Sequence, residues 1–197
     1  MATTTGDTDV AVTSGSRLGW NALSIARILI GFIFFWPFLD KLLALGYSTG
    51  RDKDTGVVDY LGPKAWIHGN HVTQGYLGSS TGPLGDFFSG LGDQRWTDWA
   101  FMIGLAGIGL ALMLGIGTKI GAWSAVAMLL MMYTTHAWPG AEVFPTDDAR
   151  TNPFLDEHLV YAVSAVGIAF VELQRQAVGF GSLWRKLPIV KKNPWLV

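Results

Sequence analysis

The chain contains no cysteine. That excludes disulfides, thiolate metal sites, persulfide carriage and cysteine nucleophiles, and it removes cysteine usage as a guide to redox compartment. Charge is scarce too. Only 15% of the 197 residues are Asp, Glu, Lys or Arg, well under the roughly 25% usual in soluble domains. A net charge of −1 offers no basic field for a nucleic-acid partner. The sequence holds no βαβ pattern, no nucleotide-binding glycine loop, no flavin or haem-attachment motif and no internal repeat. Residues 1–19 lack the basic segment, short apolar core and small-residue cleavage site of a secretion signal. Their Thr, Ser and Gly content, with Asp7 and Asp9, reads as a disordered tail.

What the chain does have is apolar length, with half of its residues hydrophobic. The stretch Ser24–Leu45 is long enough to cross a bilayer, yet it carries Arg27 near its start and Asp40-Lys41 near its end. At 1.5 Å per residue Arg27 and Lys41 lie roughly 20 Å apart along a helix. They also share nearly one face with Gly31, Phe34 and Phe38. A charge at membrane depth costs roughly 2.5–3.5 kcal/mol on insertion scales. Such groups face a bundle interior or a wet cavity, or snorkel to the headgroups as Arg and Lys can. Aspartate is too short to snorkel far.

Three further runs suit spans: 99–118, 120–141 and 155–173, with the first span at about 22–45. Gly107, Ala111 and Gly115 recur every fourth residue, and Gly117, Gly121 and Ala125 follow, with His136 eleven residues beyond. This is the small-residue spacing that lets helices approach closely. The G-I-G-T-K turn between the second and third runs permits only an antiparallel hairpin. Pro153 with Asp156-Glu157 suits the first turn of the fourth helix. Between the first two spans lies a polar stretch, 46–98, whose short apolar patches at 65–67 and 84–91 suit surface segments or a cap on a bundle mouth. A loop of that length is expected to hold some short helix.

The tail 175–197 is basic and cytoplasmic in this reading, because it carries five Lys or Arg and no acid, whereas the loop before the fourth span is acidic. The expected fold is therefore all-α, an integral membrane four-helix bundle. It runs up-down, with both termini cytoplasmic and a long first extracytoplasmic loop. The membrane domain covers 20–174, and the setting is the plasma membrane of a prokaryote.

In that topology all four histidines lie on the outer side. Asp40 and Lys41 would there meet His136, Asp156, Glu157 and His158. Arg27 and Glu172 share an inner depth, which predicts an ion pair. The outer cluster admits three readings. Its members are helix-end residues in the headgroup region. Alternatively they form a quinone or small-anion site, with Lys41, His136 or His158 as hydrogen-bonding and proton-exchanging groups and Trp36, Phe38, Trp138 and Tyr161 as an apolar slot. The third reading is a metal held by histidines and carboxylates, to which His68-x-x-His71 gives weak support. A bis-histidine haem between His136 and His158 has only those two residues behind it. Plain solvation suits His68 and His71 equally.

The motifs A-R-I-L-I-G-F-I-F-F and L-D-K-L, the hairpin G-I-G-L-A-L-M-L-G-I-G-T-K-I-G and N-P-F-L-D-E-H-L-V-Y-A resemble the DoxX/DoxD membrane proteins. A-W-I-H-G and G-P-L-G-D-F-F of the outer loop extend the likeness. Arg27, Gly31 and Lys41 match the family's first-span pattern; Asn152, Pro153, Asp156 and His158 match the start of its fourth. The resemblance implies a membrane subunit of a quinone-linked oxidoreductase of the thiosulfate dehydrogenase (quinone) kind, with quinone as electron-accepting substrate. Without cysteine, flavin or haem motif, such activity would need a second protein subunit. The alternative is a non-catalytic scaffold of a respiratory or oxidative-stress complex.

Overall fold

The structure is a computed structural model that describes residues 6–80, 84–137 and 157–197, with side chains placed over 16–80, 84–135 and 157–197. The described residues are helical apart from turns and loops, with one isolated antiparallel bridge, Arg51 to Val58. Helix α1 runs Gly6–Leu43, α4 Arg95–Leu114, α5 Thr118–Met132 and α6 Glu157–Glu172. A π turn, Tyr133–Ala137, continues α5. The connecting stretch carries a 3-10 turn, Trp66–His68, and the short helices α2 (Gln74–Gly78) and α3 (Gly85–Leu91). After α6 come α7 (Gly181–Trp184), α8 (Pro188–Lys192) and a 3-10 turn, Pro194–Leu196.

Several boundaries differ from expectation. The helix begins at Gly6, so the tail read as disordered over 1–19 is helical from that point. Extending an existing helix costs far less than nucleating one, and the apolar segment behind it supplies the nucleus. The second helix starts at Arg95, four residues before the expected 99. Asp98, which a hydropathy reading takes as the edge, is buried and bonded within the first turns. It ends at Leu114, because Gly115 adopts φ 72° and Gly117 φ 57°. The turn is Gly115-Ile116-Gly117, and Thr118 and Lys119 belong to α5.

The four long helices pack side by side, with the main contacts running α1 to α4, α4 to α5, α5 to α6 and α6 to α1. Ile30 and Phe34 of α1, Leu105, Ile108 and Leu112 of α4, Ala125, Met128 and Leu129 of α5, and Ala162 and Ala165 of α6 form one buried cluster. The tightest crossing is α1 on α4. A Cβ on Gly31 would lie 2.8 Å from the Met113 nitrogen and 2.9 Å from the Gly109 oxygen, and one on Gly109 would lie 2.9 Å from the Phe35 nitrogen. Gly107 has open space beside it, and Gly115 serves as a helix terminator. Of the small-residue stripe, Ala111 and Gly121 do meet: a Cβ on Gly121 would sit 3.0 Å from that of Ala111.

The outward faces are apolar as well. Ile25, Leu29 and Phe32 of α1, Ile103 and Leu110 of α4, Trp123, Leu130 and Met131 of α5, and Val160, Val163 and Phe170 of α6 are exposed. Among the described residues two helices, α1 from Ser16 and α4, are long and apolar enough to cross a membrane.

Candidate functional site

Two polar constellations sit at opposite ends of the helix cluster. At one end Arg27 is 1% exposed. Its Nε pairs with Glu172, and its two terminal nitrogens donate to the carbonyls of Leu112, Met113 and Val178. Leu112 and Met113 lie in the last turn of α4, where carbonyls have no partner within the helix. A cation there also meets the negative end of the helix dipole. Ser24 donates to the other Glu172 oxygen and accepts from the Val178 amide at 3.2 Å. Gln176 bonds the Gly115 carbonyl at 3.1 Å. The space left beside Glu172, lined by Gly115, Gln176, Gly181 and Arg185, is about 10 Å³. That is room for one water at most, so this end is a lock rather than a ligand site.

At the other end, Asp40 is fully buried. Its oxygens accept from the amides of Tyr47 and Ser48, both at 2.9 Å, and from the Ser48 hydroxyl at 2.7 Å. This carboxylate folds the chain back after α1, where Ala44 takes the left-handed φ of 54°. Lys41 is half-buried; its Nζ donates to Ser48 Oγ at 2.9 Å and lies 6.0 Å from the centre of the Phe101 ring. That distance suits a weak cation–π contact. Trp36 packs edge-on against Tyr47 at 5.4 Å and beside Phe32 at 5.9 Å, a cluster running along α1. Phe38 stacks on Phe35 instead and, with Tyr161, borders the buried core.

The other expected members are placed only in part. His158 is half-buried and Glu157 exposed, in the first turn of α6. His136 lies in the π turn, its side chain outside the described residues, and Trp138 and Asp156 are outside them altogether. Among the described residues no three His, Asp or Glu side chains converge as metal ligands. His68 is exposed at the end of its 3-10 turn, apart from its sequence partner's role.

That partner, His71, is the feature the sequence did not reveal. Its Nδ1 lies 2.8 Å from Asp98 Oδ2, and Asp98 is 2% exposed. Asp98 Oδ1 accepts from the amide and hydroxyl of Thr73 at 2.9 and 2.8 Å. The Thr73 hydroxyl touches that of Thr97 at 2.9 Å, and Arg95 reaches the Gly69 carbonyl at 2.7 Å. The His71–Asp98 distance suits an ion pair, but its direction does not complete a hydrogen bond. Among the described residues both ring nitrogens and Asp98 Oδ2 are buried without a hydrogen-bond partner. Buried polar atoms left so are rare and mark water, ligand or catalysis. Plain solvation, one reading of His71, is therefore corrected. The only sequence signal was Asp98 directly ahead of an uncharged apolar run.

The stretch between α1 and α2 forms an open groove of about 480 Å³, lined by Gly50, Asp52, Thr55, Val57, Asp59, Pro63 and Lys64. The amide and hydroxyl of Thr55, then the amide of Asp54, hold the Asp52 carboxyl below its ordinary range. Comparison with family models, with curated proteins and with solved structures finds no match for the chain.

Proposed function

We propose that the chain is a multi-pass protein of a prokaryotic plasma membrane, in which α1, α4, α5 with its π turn, and α6 all cross the bilayer. The observation that carries this reading is that all four helices expose large apolar side chains away from their shared core, Val163 by 75% and Ile103 by 63%. A helix apolar on every side belongs in lipid or in a large core. The Arg27–Glu172 lock is supported by the same logic, since charges at membrane depth pair inside the bundle. The contacts of Arg27 with the C-terminal ends of α4 and α6, and of Lys41 with Phe101 in α4, suit an up-down order.

Within that frame the chain acts as the membrane subunit of a quinone-linked oxidoreductase of DoxX/DoxD type, with thiosulfate as a candidate electron donor. The first-span and fourth-span motifs support the family reading. The His71 imidazole, which lies against Asp98 but completes no hydrogen bond among the described residues, together with Lys41 and His158 at the same end, supports a hydrogen-bonding site for a quinone carbonyl. The electrons come through a partner subunit, a reading supported by a sequence with no cysteine and no flavin or haem-attachment motif.

The test is purification of the full chain from membranes, followed by extraction and analysis of bound small molecules. Quinone should co-purify with the wild type and be lost from Lys41→Ala and His158→Ala, which still insert. Thiosulfate-dependent quinone reduction should fall with it. A second reading, a scaffold without chemistry, is favoured by the way Asp40 is consumed in closing its own loop. A co-purifying subunit with no small molecule would decide for the scaffold.

A further inference from the structure

Residues 173–197 carry Arg175, Arg185, Lys186, Lys191 and Lys192 and no acid. They are not an extended tail. The Phe180 amide donates to the Leu114 carbonyl at 2.8 Å, the Lys119 amide to the Val197 carbonyl at 3.2 Å, and the Trp184 indole to the Leu196 carbonyl at 2.7 Å. Val190 is buried. The segment is thus a folded cap seated on the α4–α5 turn, at the end of the bundle that holds Arg27 and Glu172.

With the cap seated, Phe180, Leu183, Leu187, Ile189 and Trp195 stay exposed. Lys186, Lys191 and Lys192 are exposed among them. Arg185 is differently placed, since it bonds the carbonyls of Leu173 and Gly181 and so serves the cap itself. Apolar side chains interleaved with free cations match one environment, the boundary between acyl chains and headgroups. A free phosphate would leave the apolar groups in water. An acidic protein surface would not want so many aliphatic side chains among the lysines.

We infer that this cap binds anionic phospholipid headgroups of the inner leaflet, with Lys186, Lys191 and Lys192 as the contacting cations and the apolar side chains dipping below them. Basic juxtamembrane clusters gain from anionic lipid residue by residue. The inference rests on the membrane reading above and is independent of the quinone proposal.

The experiment is native mass spectrometry of the full detergent-solubilised chain, titrated with equal phosphatidylglycerol and phosphatidylcholine. The wild type should retain phosphatidylglycerol in preference, by on the order of tenfold. The variant Lys186→Gln/Lys191→Gln/Lys192→Gln should lose that preference, and Lys53→Gln/Lys64→Gln in the outer stretch should keep it. Helix content by circular dichroism, unchanged in both variants, ties the loss to charge rather than to unfolding. Equal retention of the two lipids, or a preference that survives the triple substitution, overturns the inference and leaves the membrane reading standing. A chain that stays in solution without detergent overturns both.

Discussion

Arg27 in α1 and Glu172 in α6 are joined by a buried ion pair across 145 positions of sequence, and the same guanidinium closes the end of α4. One side chain therefore ties three helices together. Removing one partner of a buried pair costs about 3–5 kcal/mol, because the survivor is left charged and dry. Arg27→Met and Glu172→Leu should each lower Tm sharply in a detergent melt. The double variant should recover only part of the loss, since the Leu112, Met113 and Val178 carbonyls still lack their donor. Full recovery would mean that the carbonyl contacts contribute nothing.

Two buried aspartates pin the stretch between α1 and α4 from those two helices, Asp40 through Tyr47 and Ser48 and Asp98 through Thr73 and His71. Hydrogen bonds to a charged group contribute about 1.5–3 kcal/mol each. Asp40→Ala should open the chain near 45–50 to limited proteolysis, and Asp98→Ala should open it near 69–80. Each cut should appear without the other. Simultaneous cleavage at both places in either variant would show one cooperative unit instead.

The glycine contacts give a signed series. Gly31→Ala and Gly109→Ala force a methyl into backbone and should separate α1 from α4, with loss of Tm. Gly107→Ala meets open space and should be neutral or stabilising by up to about 1 kcal/mol, the helix preference of Ala over Gly. A destabilised Gly107→Ala would put a helix contact where none is described.

Much of this was legible in the sequence and some was not. Position along two helices was enough to bring Arg27 to Glu172, because an apolar helix offers few places for a charge. The all-helical character followed from apolar runs of the right length. The close crossing was not legible: every-fourth-residue spacing singled out Gly107 and Gly115, whereas the contact uses Gly31 and Gly109, which belong to different helices. Spacing within one helix cannot say which of its faces a neighbour takes. Asp98 was read as the edge of a span because hydropathy has no means of seeing that Thr73 and His71 come to it from 25 and 27 residues upstream.

Asp52 gives a pH-dependent readout in the stretch between α1 and α4. Its carboxyl is held below the ordinary value by the Thr55 amide and hydroxyl and the Asp54 amide. The local order it supports is then complete above the unfolded value, about 3.9, and is lost as pH falls through the lower folded value. Thr55→Val should raise the Asp52 titration midpoint, followed by carboxyl NMR shifts. An unchanged midpoint would remove the hydroxyl from the account.

The absence of cysteine makes the central claim directly measurable, since any introduced thiol is unique. Thr55→Cys in the outer stretch and Ser182→Cys in the C-terminal cap are both exposed positions. In intact cells treated with a membrane-impermeant maleimide, Thr55→Cys should label at once and Ser182→Cys only after permeabilisation. Labelling of both from the same side, or of both in a fraction that needs no detergent, would contradict the four-crossing membrane topology.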